Sequence, residues 1–274
     1  MFSRDDRGSL SEYVPTSRPG EIAEMVLETG RDVTQPDLYD PHFVAHLFDE
    51  MARTYGTVNL ISSLGFARRW RKQCLDSIAV APGDSVVDLM TGMGELCPDL
   101  LRLTGRSGAV LAMDISAEMC RRASRHGSSV SGDHFHVIQA DALNIPLEDQ
   151  SVDCVVSTFG LKTFNELQRQ RLASEVKRVL KPGGQFSFME ISVPASPLLR
   201  RPYLTYLRRV IPLIGRLLLG NPENYRLLGV YTVAFQNCGA VAADFAAVGL
   251  QVQQQSRFFG CATGIRGSRP ADHS

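Results

Sequence analysis

Residues 86–96, VVDLMTGMGEL, place a carboxylate and two glycines where a strand pattern gives way to a helix pattern. An apolar run ends around Asp88, and Gly92 and Gly94 follow just before the helical stretch. Glycines in such a turn let the backbone approach a nucleotide-like ligand, and the N-terminus of the next helix attracts negative charge. The pattern indicates a cofactor site, although a tight structural turn explains a lone GxG spacing equally well.

The spacing of the glycines distinguishes between cofactors. A dinucleotide fingerprint, GxGxxG, needs a third glycine so that the helix can pack closely on the strand, and Cys97 stands at that position. A P-loop needs a Gly-Lys pair followed by Ser or Thr, which the sequence does not have here. The loop therefore favours neither a dinucleotide nor a nucleoside triphosphate.

Three acidic residues lie at the ends of three consecutive predicted strands. Asp88 precedes the glycine loop, Asp114 ends the second strand, and Asp141 with Ala142 ends the third. An acid at the position of Asp114 can accept hydrogen bonds from both hydroxyls of a ribose. Acids without a basic residue for a pyrophosphate suit S-adenosylmethionine, which carries a ribose and a cationic sulfonium but no phosphate. Asp88 is explained equally well by hydrogen bonds that tie the loop down through backbone N–H groups.

We expect no metal site. His42 and His46 stand four residues apart on a predicted helix and could face the pocket, but they lack further ligands, and a purely structural role explains them better. The six cysteines contain no CxxC pair, and several lie in apolar runs. This usage indicates free thiols in a reduced, cytoplasmic compartment.

Charge and hydropathy argue against several classes of protein. The chain has 29 Lys+Arg and 29 Asp+Glu, whereas a protein that binds a nucleic-acid backbone usually has a basic surplus. The polar N-terminus has no apolar stretch of the kind found in secretory signals, and no run approaches the length of a membrane span. We therefore expect no nucleic-acid partner and no transmembrane segment.

The elements that must position the acids and glycines alternate from Asp84 onward. Strand patterns are SVVDLM, AVLAMDI, HFHVIQAD, VDCVVSTF and QFSFMEIS, with LQVQQQSRFF and CATGIR as two closing strands. Helices are predicted over residues 96–103, after an N-cap at Ser116, over 167–180 before the stop signal KPGG, and over 241–248. The alternation predicts a Rossmann-like α/β fold with a doubly wound, mostly parallel sheet of seven strands.

Three further regions surround the predicted sheet. Residues 1–40 are polar and are expected to form a flexible N-terminal arm, while residues 41–80 are expected to form a helical cap of two helices with Leu60 on the apolar face. The core, residues 81–274, contains an α-helical insertion after the fifth strand, at 194–238, which we expect to form a lid on the substrate side.

The insertion mixes arginines with Leu, Ile, Val and Tyr over Arg200–Leu219. Such a segment could rest on a membrane surface and give the protein a peripheral membrane contact. A lid or a contact within a homo-oligomer is the simpler explanation, and a homo-oligomer is expected.

Several motifs together are similar to those of one family. They are LFDEMARTYGTVNLISSLGFARRWRK, VVDLMTGMGEL, AMDIS, QADALNIPLEDQSVDCVVSTFGLK, RVLKPGGQFSFMEIS and NYRLL, in matching order and spacing. From about Leu47 to the C-terminus the chain resembles the class I methyltransferases and, more closely, the ubiquinone/menaquinone-biosynthesis C-methyltransferases. The resemblance implies S-adenosylmethionine as the cofactor and a lipophilic small molecule as the substrate.

The family motifs also imply site residues by position. With Asp88 and Ile115, which flank the matched positions, the predicted cofactor-binding residues are Asp88, Gly92, Met93, Gly94, Asp114, Ile115, Asp141, Ala142 and Thr158. The predicted substrate-binding residues are Tyr55, Phe159, Tyr225 and Arg226, and the predicted catalytic residues are Lys162 and Thr163.

The chain departs from the family pattern mainly on the substrate side. The family loop GGTGD is TGMGE here, its Arg-Asn pair beside the substrate is Lys162-Thr163, and its Tyr-Asp pair is Tyr55-Gly56. The Arg-Asn pair is thought to help deprotonate the substrate, and Lys162 keeps its charge without the planar fork of arginine. Lys162 could stabilise an oxyanion on the acceptor, or it could instead pair with Glu166.

These observations predict an S-adenosylmethionine-dependent methyltransferase that acts on an electron-rich carbon of a lipophilic small molecule, either a specialised metabolite or a prenylated aromatic or quinol. The alternative is a small-molecule O- or N-methyltransferase. A nucleic-acid or protein methyltransferase is disfavoured because STFG stands where base-modifying enzymes typically have [DN]PP[YFW]. A non-catalytic binding subunit is disfavoured by the intact Gly92, Gly94 and Asp114.

Overall fold

A computed structural model describes residues 37–129, 134–217 and 221–271 of the chain. The strands are β1 (Ser85–Leu89), β2 (Ala109–Asp114), β3 (Phe135–Gln139), β4 (Val152–Thr158), β5 (Leu180–Ile191), β6 (Gln251–Arg257) and β7 (Ala262–Ser268). The α-helices are α1 (Pro41–Met51), α2 (Tyr55–Ser62), α3 (Phe66–Leu75), α4 (Cys97–Thr104), α5 (Ala117–Ala123), α6 (Glu166–Val179), α7 (Pro197–Thr205), α8 (Ile211–Leu217), α9 (Pro222–Phe235) and α10 (Gly239–Ala247). The arm predicted over residues 1–40 lies outside the described residues as far as residue 36.

The seven strands form one sheet in the order β3-β2-β1-β4-β5-β7-β6. Strands β1 to β5 pair in parallel, and β7 runs antiparallel between β5 and β6. The strand order reverses between β1 and β4, and ligands of doubly wound sheets bind at the carboxyl ends of the strands at such a point. The predicted seven-stranded, mostly parallel sheet is therefore confirmed.

Side-chain caps fix the start of two helices beside this edge. The hydroxyl of Ser116 accepts the backbone N–H of Met119 and begins α5 where the sequence predicted an N-cap. Asn165 and Gln168 form a reciprocal capping box at the start of α6. Both caps satisfy N–H groups that would otherwise lack a partner in the first helical turn.

The KPGG segment ends α6 as predicted, but it also belongs to the next strand. β5 begins at Leu180, whereas the sequence pattern placed its start at Gln185. The register between β4 and β5 shifts between Val152 and Cys154, and Gly183 adopts a φ of 81°. The irregular KPGG turn thus forms a bulge inside β5 and does not precede the strand. Sequence periodicity alone does not reveal such a bulge.

The predicted cap contains three helices instead of two. A turn at residues 52–54 separates α1 from α2, and Gly65, at a φ of 80°, separates α2 from α3. Leu60 was expected on the apolar face and is exposed instead. It lies two residues after the buried Val58, which places its side chain about 200° around the helix.

The insertion after β5 consists of α7, a π-helical turn at Tyr206–Val210, α8 and α9. Tyr225 and Tyr231 of α9 are buried in one apolar cluster with Leu47 and Met51 of α1. The insertion therefore packs against the helical region that precedes the sheet. Within the described ranges, no helix has the length and apolar character needed to cross a bilayer.

The core contains all six cysteines as free, buried thiols. Cys97, at the position of the missing third glycine, is fully buried at the start of α4. Burial raises the pKa of Cys74 and of Cys154 to about 12, so these thiols stay protonated.

Candidate active site

The glycine loop after β1 is tied to the end of β2. The backbone N–H of Gly92 donates to Asp114 Oδ2 at 2.8 Å, and the N–H of Thr91 donates to the carbonyl of Met113. Gly92 and Gly94 adopt φ values of 59° and 78°. A Cβ on Gly94 would lie 3.1 Å from the Cα of Ala123, so the loop needs glycine both for its conformation and for its approach to α5.

Asp88, at the end of β1, anchors this loop through Thr91. Its buried carboxylate accepts the hydroxyl of Thr91 at 2.5 Å, and Asp88 does not line either of the cavities described below. Burial raises the pKa of Asp88 to about 7, although the bond from Thr91 opposes the shift. The geometry therefore favours a role for Asp88 in anchoring the loop over direct contact with a ligand. The anchoring bond comes from the hydroxyl of Thr91, whereas the sequence suggested backbone N–H groups.

Asp114 lies at the carboxyl end of β2 and faces a cleft. Its two carboxylate oxygens accept the N–H groups of Gly92 and Ser116, at 2.8 and 2.9 Å. Burial raises the pKa of Asp114 to about 6, against the lowering effect of these two bonds. The carboxylate is held rigidly and retains lone pairs for a ligand in the cleft.

The cleft, here called the first cavity, encloses about 800 Å³ including its open side. Of the predicted cofactor-binding residues, the structure brings together in its wall Gly92, Asp114, Ile115, Asp141, Ala142 and Thr158. Met93 and Gly94, also predicted to bind the cofactor, are not among the residues that line this cavity. Met93 packs with the α1–α2 cluster and fills the space beside Gly56, where a Cβ would lie 2.5 Å from Met93 Cε.

Arg71 of α3 belongs to the wall of the first cavity, although no sequence motif indicates it. It lines the first cavity, its guanidinium lies 5.2 Å from the ring centroid of Phe159, and its Nη2 lies 2.7 Å from Glu95 Oε1. A planar guanidinium with free N–H groups is suited to a carboxylate. No local spacing connects α3 with the glycine loop, so only the fold reveals this contact.

A second cavity adjoins the first. It encloses about 1240 Å³ including its open side, and Tyr55 and Phe159 line both cavities. Its wall is largely apolar and aromatic and includes Val58, Phe66, Trp70, Leu207, Ile211, Phe258 and Leu228. Such a wall suits a lipophilic molecule with few polar groups.

The backbone is strained where the two cavities meet. Met90 and Phe159 adopt φ values of 53° and 70°, and both line the first cavity. A Cβ on Gly160 would lie 2.7 Å from the Cβ of Met90, so this close approach requires glycine. Bulky residues in the left-handed region persist only where the surrounding structure imposes them, which is common at functional sites.

Lys162 lines the second cavity and forms a buried ion pair. Its Nζ lies 2.9 Å from Glu190 Oε1 and donates to the carbonyl of Phe159 at 2.5 Å. The backbone N–H of Lys162 donates to the other oxygen of Glu190 at 3.1 Å. The alternative pairing with Glu166 is wrong, because Glu190 at the end of β5 is the partner.

The remaining predicted residues divide between the cavities and the surface. Thr163 lines the first cavity, and its hydroxyl donates to the carbonyl of Gly160 at 2.7 Å. Tyr225 lines the second cavity and forms a hydrogen bond with Thr54 at 2.8 Å. Arg226 lines neither cavity and pairs with Glu223 at 2.6 Å.

His42 and His46 lie outside both cavities. His42 and His46 are exposed, and the Nδ1 of His46 lies 3.9 Å from Glu50. The suggestion that they face the pocket is therefore wrong. No group of His, Cys, Asp and Glu in the described part of the chain has the arrangement of a metal site.

Comparisons with known proteins agree with this geometry. The model of the ubiE/COQ5 methyltransferase family matches residues 36–267. The chain is 36% identical over 189 residues to the ubiquinone/menaquinone biosynthesis C-methyltransferase UbiE of Hahella chejuensis, covering 68% of this chain and 74% of that protein. It is 32% identical over 232 residues to the demethylmenaquinone methyltransferase of Lactiplantibacillus plantarum, covering 84% of this chain and 97% of the relative.

Among solved structures, the fold is similar to that of a SAM-dependent methyltransferase, possible histamine N-methyltransferase, from Thermotoga maritima. The TM-score is 0.55 at 18% identity, covering 82% of this chain and 99% of that one. At this identity the likeness concerns the fold alone.

Proposed function

Since the chain belongs to the ubiE/COQ5 methyltransferase family and is an S-adenosylmethionine-dependent methyltransferase, we propose that it methylates an electron-rich carbon of a lipophilic aromatic molecule. The observation that carries this proposal is the apolar second cavity, which meets the first at Tyr55 and Phe159. A donor in one cavity and an acceptor in the other would face each other across these two side chains.

The residues of the first cavity fit S-adenosylmethionine. Asp114 presents a fixed carboxylate for the ribose hydroxyls, and Arg71 presents a guanidinium for the carboxylate of the amino-acid part. Asp141, Ala142 and Thr158 line the same cavity at the ends of neighbouring strands. When bound, the cofactor supplies an activated methyl group on a sulfonium, so the protein contributes mainly orientation and a pocket without water.

Lys162 is the residue we propose for acceptor activation. An ammonium group has three N–H donors, and the carbonyl of Phe159 and the carboxylate of Glu190 accept two of them. The third is available to a phenolic oxygen in the second cavity. A hydrogen bond from this cation would stabilise the phenolate and so raise the nucleophilicity of the ortho and para carbons.

The acceptor class is supported by the cavity and by the relatives. The wall is largely apolar, and two relatives carry names from quinone biosynthesis, which favours a prenylated phenol or quinol or a similarly lipophilic metabolite.

The test is to incubate the purified protein with S-adenosylmethionine and a panel of acceptors. Short-chain prenylated hydroquinols and phenols represent the proposed class, and a catechol and an arylamine represent O- and N-methylation. We expect a gain of one methylene unit by mass spectrometry, assigned to a ring carbon by NMR. Methylation confined to oxygen or nitrogen would refute the proposal.

A further inference from the structure

The charge of the chain is distributed unevenly around the second cavity. Most of its wall comes from three segments, residues 51–75, 191–222 and 245–271. Together they contain thirteen Lys and Arg, and an acid borders each of their six ends (Glu50, Asp76, Glu190, Glu223, Asp244 and Asp272), which leaves an excess of seven basic residues (13 − 6), although the whole chain has 29 of each class. Although the net charge of the chain is zero, basic residues are in excess in the segments around this cavity and acidic residues are in excess in the rest of the chain.

Eight arginines of these segments are exposed, and none forms an ion pair with the part of the chain that the structure describes. They are Arg53, Arg68, Arg69, Arg201, Arg208, Arg209, Arg216 and Arg266. Their charge is thus available to an external anionic surface.

Large apolar side chains are exposed in the same segments. Leu64 is 82% exposed, Phe259 77% and Leu60 60%. Leu64 and Phe258 both line the second cavity while half or more of each is exposed, so they lie at its opening. The ring of Phe258 packs against Phe66 with centroids 4.5 Å apart, which joins the start of α3 to the β6–β7 turn.

The backbone holds these side chains outward under strain. Leu64, Phe258 and Phe259 adopt φ values of 49°, 44° and 56°, in the left-handed region that bulky residues avoid. Exposed apolar groups gain nothing from such strain in water. The combination of strain and exposure points to a partner that receives them.

We infer that this face, with its exposed arginines and its apolar rim, docks the enzyme on an anionic lipid bilayer. The opening of the second cavity then faces the hydrocarbon, and the acceptor enters from the membrane without crossing water. The inference rests on the proposed function for the acceptor's class, but the docking itself does not require catalysis. Basic residues beside exposed Leu and Phe are the arrangement by which peripheral proteins bind such surfaces.

Two other occupants fit the face less well. A second copy in a two-fold contact would bring the same unpaired arginines against one another. A nucleic acid would satisfy the arginines, but the exposed Leu and Phe of the rim would gain little from its phosphate backbone. The bilayer alone satisfies both the charge and the apolar side chains.

The experiment is co-sedimentation of the full chain with phosphatidylcholine vesicles, with and without phosphatidylglycerol, at low and high salt. We expect binding to the anionic vesicles, weakened by salt. Arg208→Gln with Arg209→Gln should reduce binding about fivefold per arginine. Leu60→Gln with Phe259→Asn should also reduce it, and asparagine tolerates the left-handed backbone at position 259.

Matched controls lie outside the face. Arg102→Gln with Arg106→Gln removes two exposed arginines elsewhere, and Leu167→Ser removes a leucine that is 76% exposed. These variants should bind like the wild type. Absence of binding at low salt, or equal losses in the controls, would overturn the inference.

Two further outcomes would also overturn it. One is a dimer, seen by sedimentation velocity, that Leu60→Gln with Phe259→Asn dissolves while vesicle binding is unchanged. The other is binding to RNA, and not to vesicles, that the arginine variant abolishes. Turnover with a water-soluble phenol is measured in parallel, so failure of docking and failure of the proposed function are distinguished.

Discussion

Lys162 and Glu190 form an ion pair 2.9 Å long in which both side chains are almost completely buried. The pair joins the turn after β4 to the end of β5, and Lys162 reaches the wall of the second cavity. A buried pair of this kind contributes little net stability, but removing one partner leaves an uncompensated charge. Its value here lies in fixing a cation beside the proposed acceptor.

Lys162→Met should therefore reduce both stability and turnover. The unpaired Glu190 is expected to cost about 3–5 kcal/mol of unfolding free energy. Turnover should fall at least about tenfold, while affinity for S-adenosylhomocysteine stays within about twofold, because the lysine acts on the acceptor. Denaturant unfolding, acceptor kinetics and calorimetry measure the three quantities.

A double variant separates the two effects of Lys162. Lys162→Met with Glu190→Gln removes the stranded charge and keeps an acceptor for the backbone N–H of Lys162. It should recover most of the stability without recovering turnover. Wild-type turnover in the double variant would contradict the role of the cation, as would equal losses of turnover and cofactor affinity in the single variant.

Asp114→Ala should weaken cofactor binding at least about tenfold, since it removes a charged acceptor of hydrogen bonds. Asp114→Asn keeps a partner for Gly92 and serves as the conservative variant, with a smaller expected loss. Asp149→Ala, at an exposed carboxylate far along the chain, is the matched control. Calorimetry with S-adenosylhomocysteine that finds unchanged affinity for Asp114→Ala would remove Asp114 from the site.

Arg71→Met should weaken cofactor affinity about tenfold, because it removes a charged hydrogen bond and keeps an apolar stem against Phe159. At saturating cofactor, turnover should be less affected than affinity. Arg68→Met and Arg69→Met change exposed arginines of the same helix and should leave affinity unchanged. If all three variants bound equally well, Arg71 would be a structural residue that only orders Glu95.

Asp88→Asn should stabilise the protein above neutral pH. The pKa of Asp88 is raised from 3.8 to about 7 by burial, so between these values the folded chain holds a proton that the unfolded chain releases. The free energy of unfolding consequently falls as pH rises through this range. Asparagine removes that dependence and can still accept the hydroxyl of Thr91, so we expect a gain in Tm of a few degrees at pH 8 that shrinks toward pH 4.

Asp153 serves as a control because its pKa is lowered in the folded protein, whereas that of Asp88 is raised. Burial raises its pKa, but the ion pair with Lys181 and the N–H of Ser85 outweigh burial and lower the pKa overall. Asp153→Asn should therefore lower the Tm near pH 7, with a difference that vanishes in acid. A lower Tm for Asp88→Asn at pH 8 would show that its bond from Thr91 outweighs the cost of burying the charge.

The sheet and the cofactor edge were predictable because their signals are local. Alternating strand and helix patterns place Asp114, Asp141 and Thr158 at the ends of parallel strands, and the topology then gathers them in the first cavity. The same rule applied to QFSFMEIS would have found Glu190, an acid at the end of the fifth strand.

Contacts between distant segments could not be predicted in the same way. Arg71 is separated in sequence from Glu95 by 24 residues and from Phe159 by a still longer stretch of chain, and no periodicity relates them. Leu60 was misplaced because a helix pattern was carried across the turn at residues 52–54. The basic region around the second cavity also combines three segments that are far apart in sequence.

The six buried cysteines can be used to measure local opening of the folded structure. Thiol-specific alkylating reagents attack the thiolate, and burial raises the pKa of Cys74, Cys154 and Cys238 to about 12. A reagent such as iodoacetamide can therefore label a core thiol only after the surrounding structure opens. The rate of alkylation at each cysteine, read by peptide mass spectrometry, would map the opening free energy of the sheet and its flanking helices, with no engineered probe.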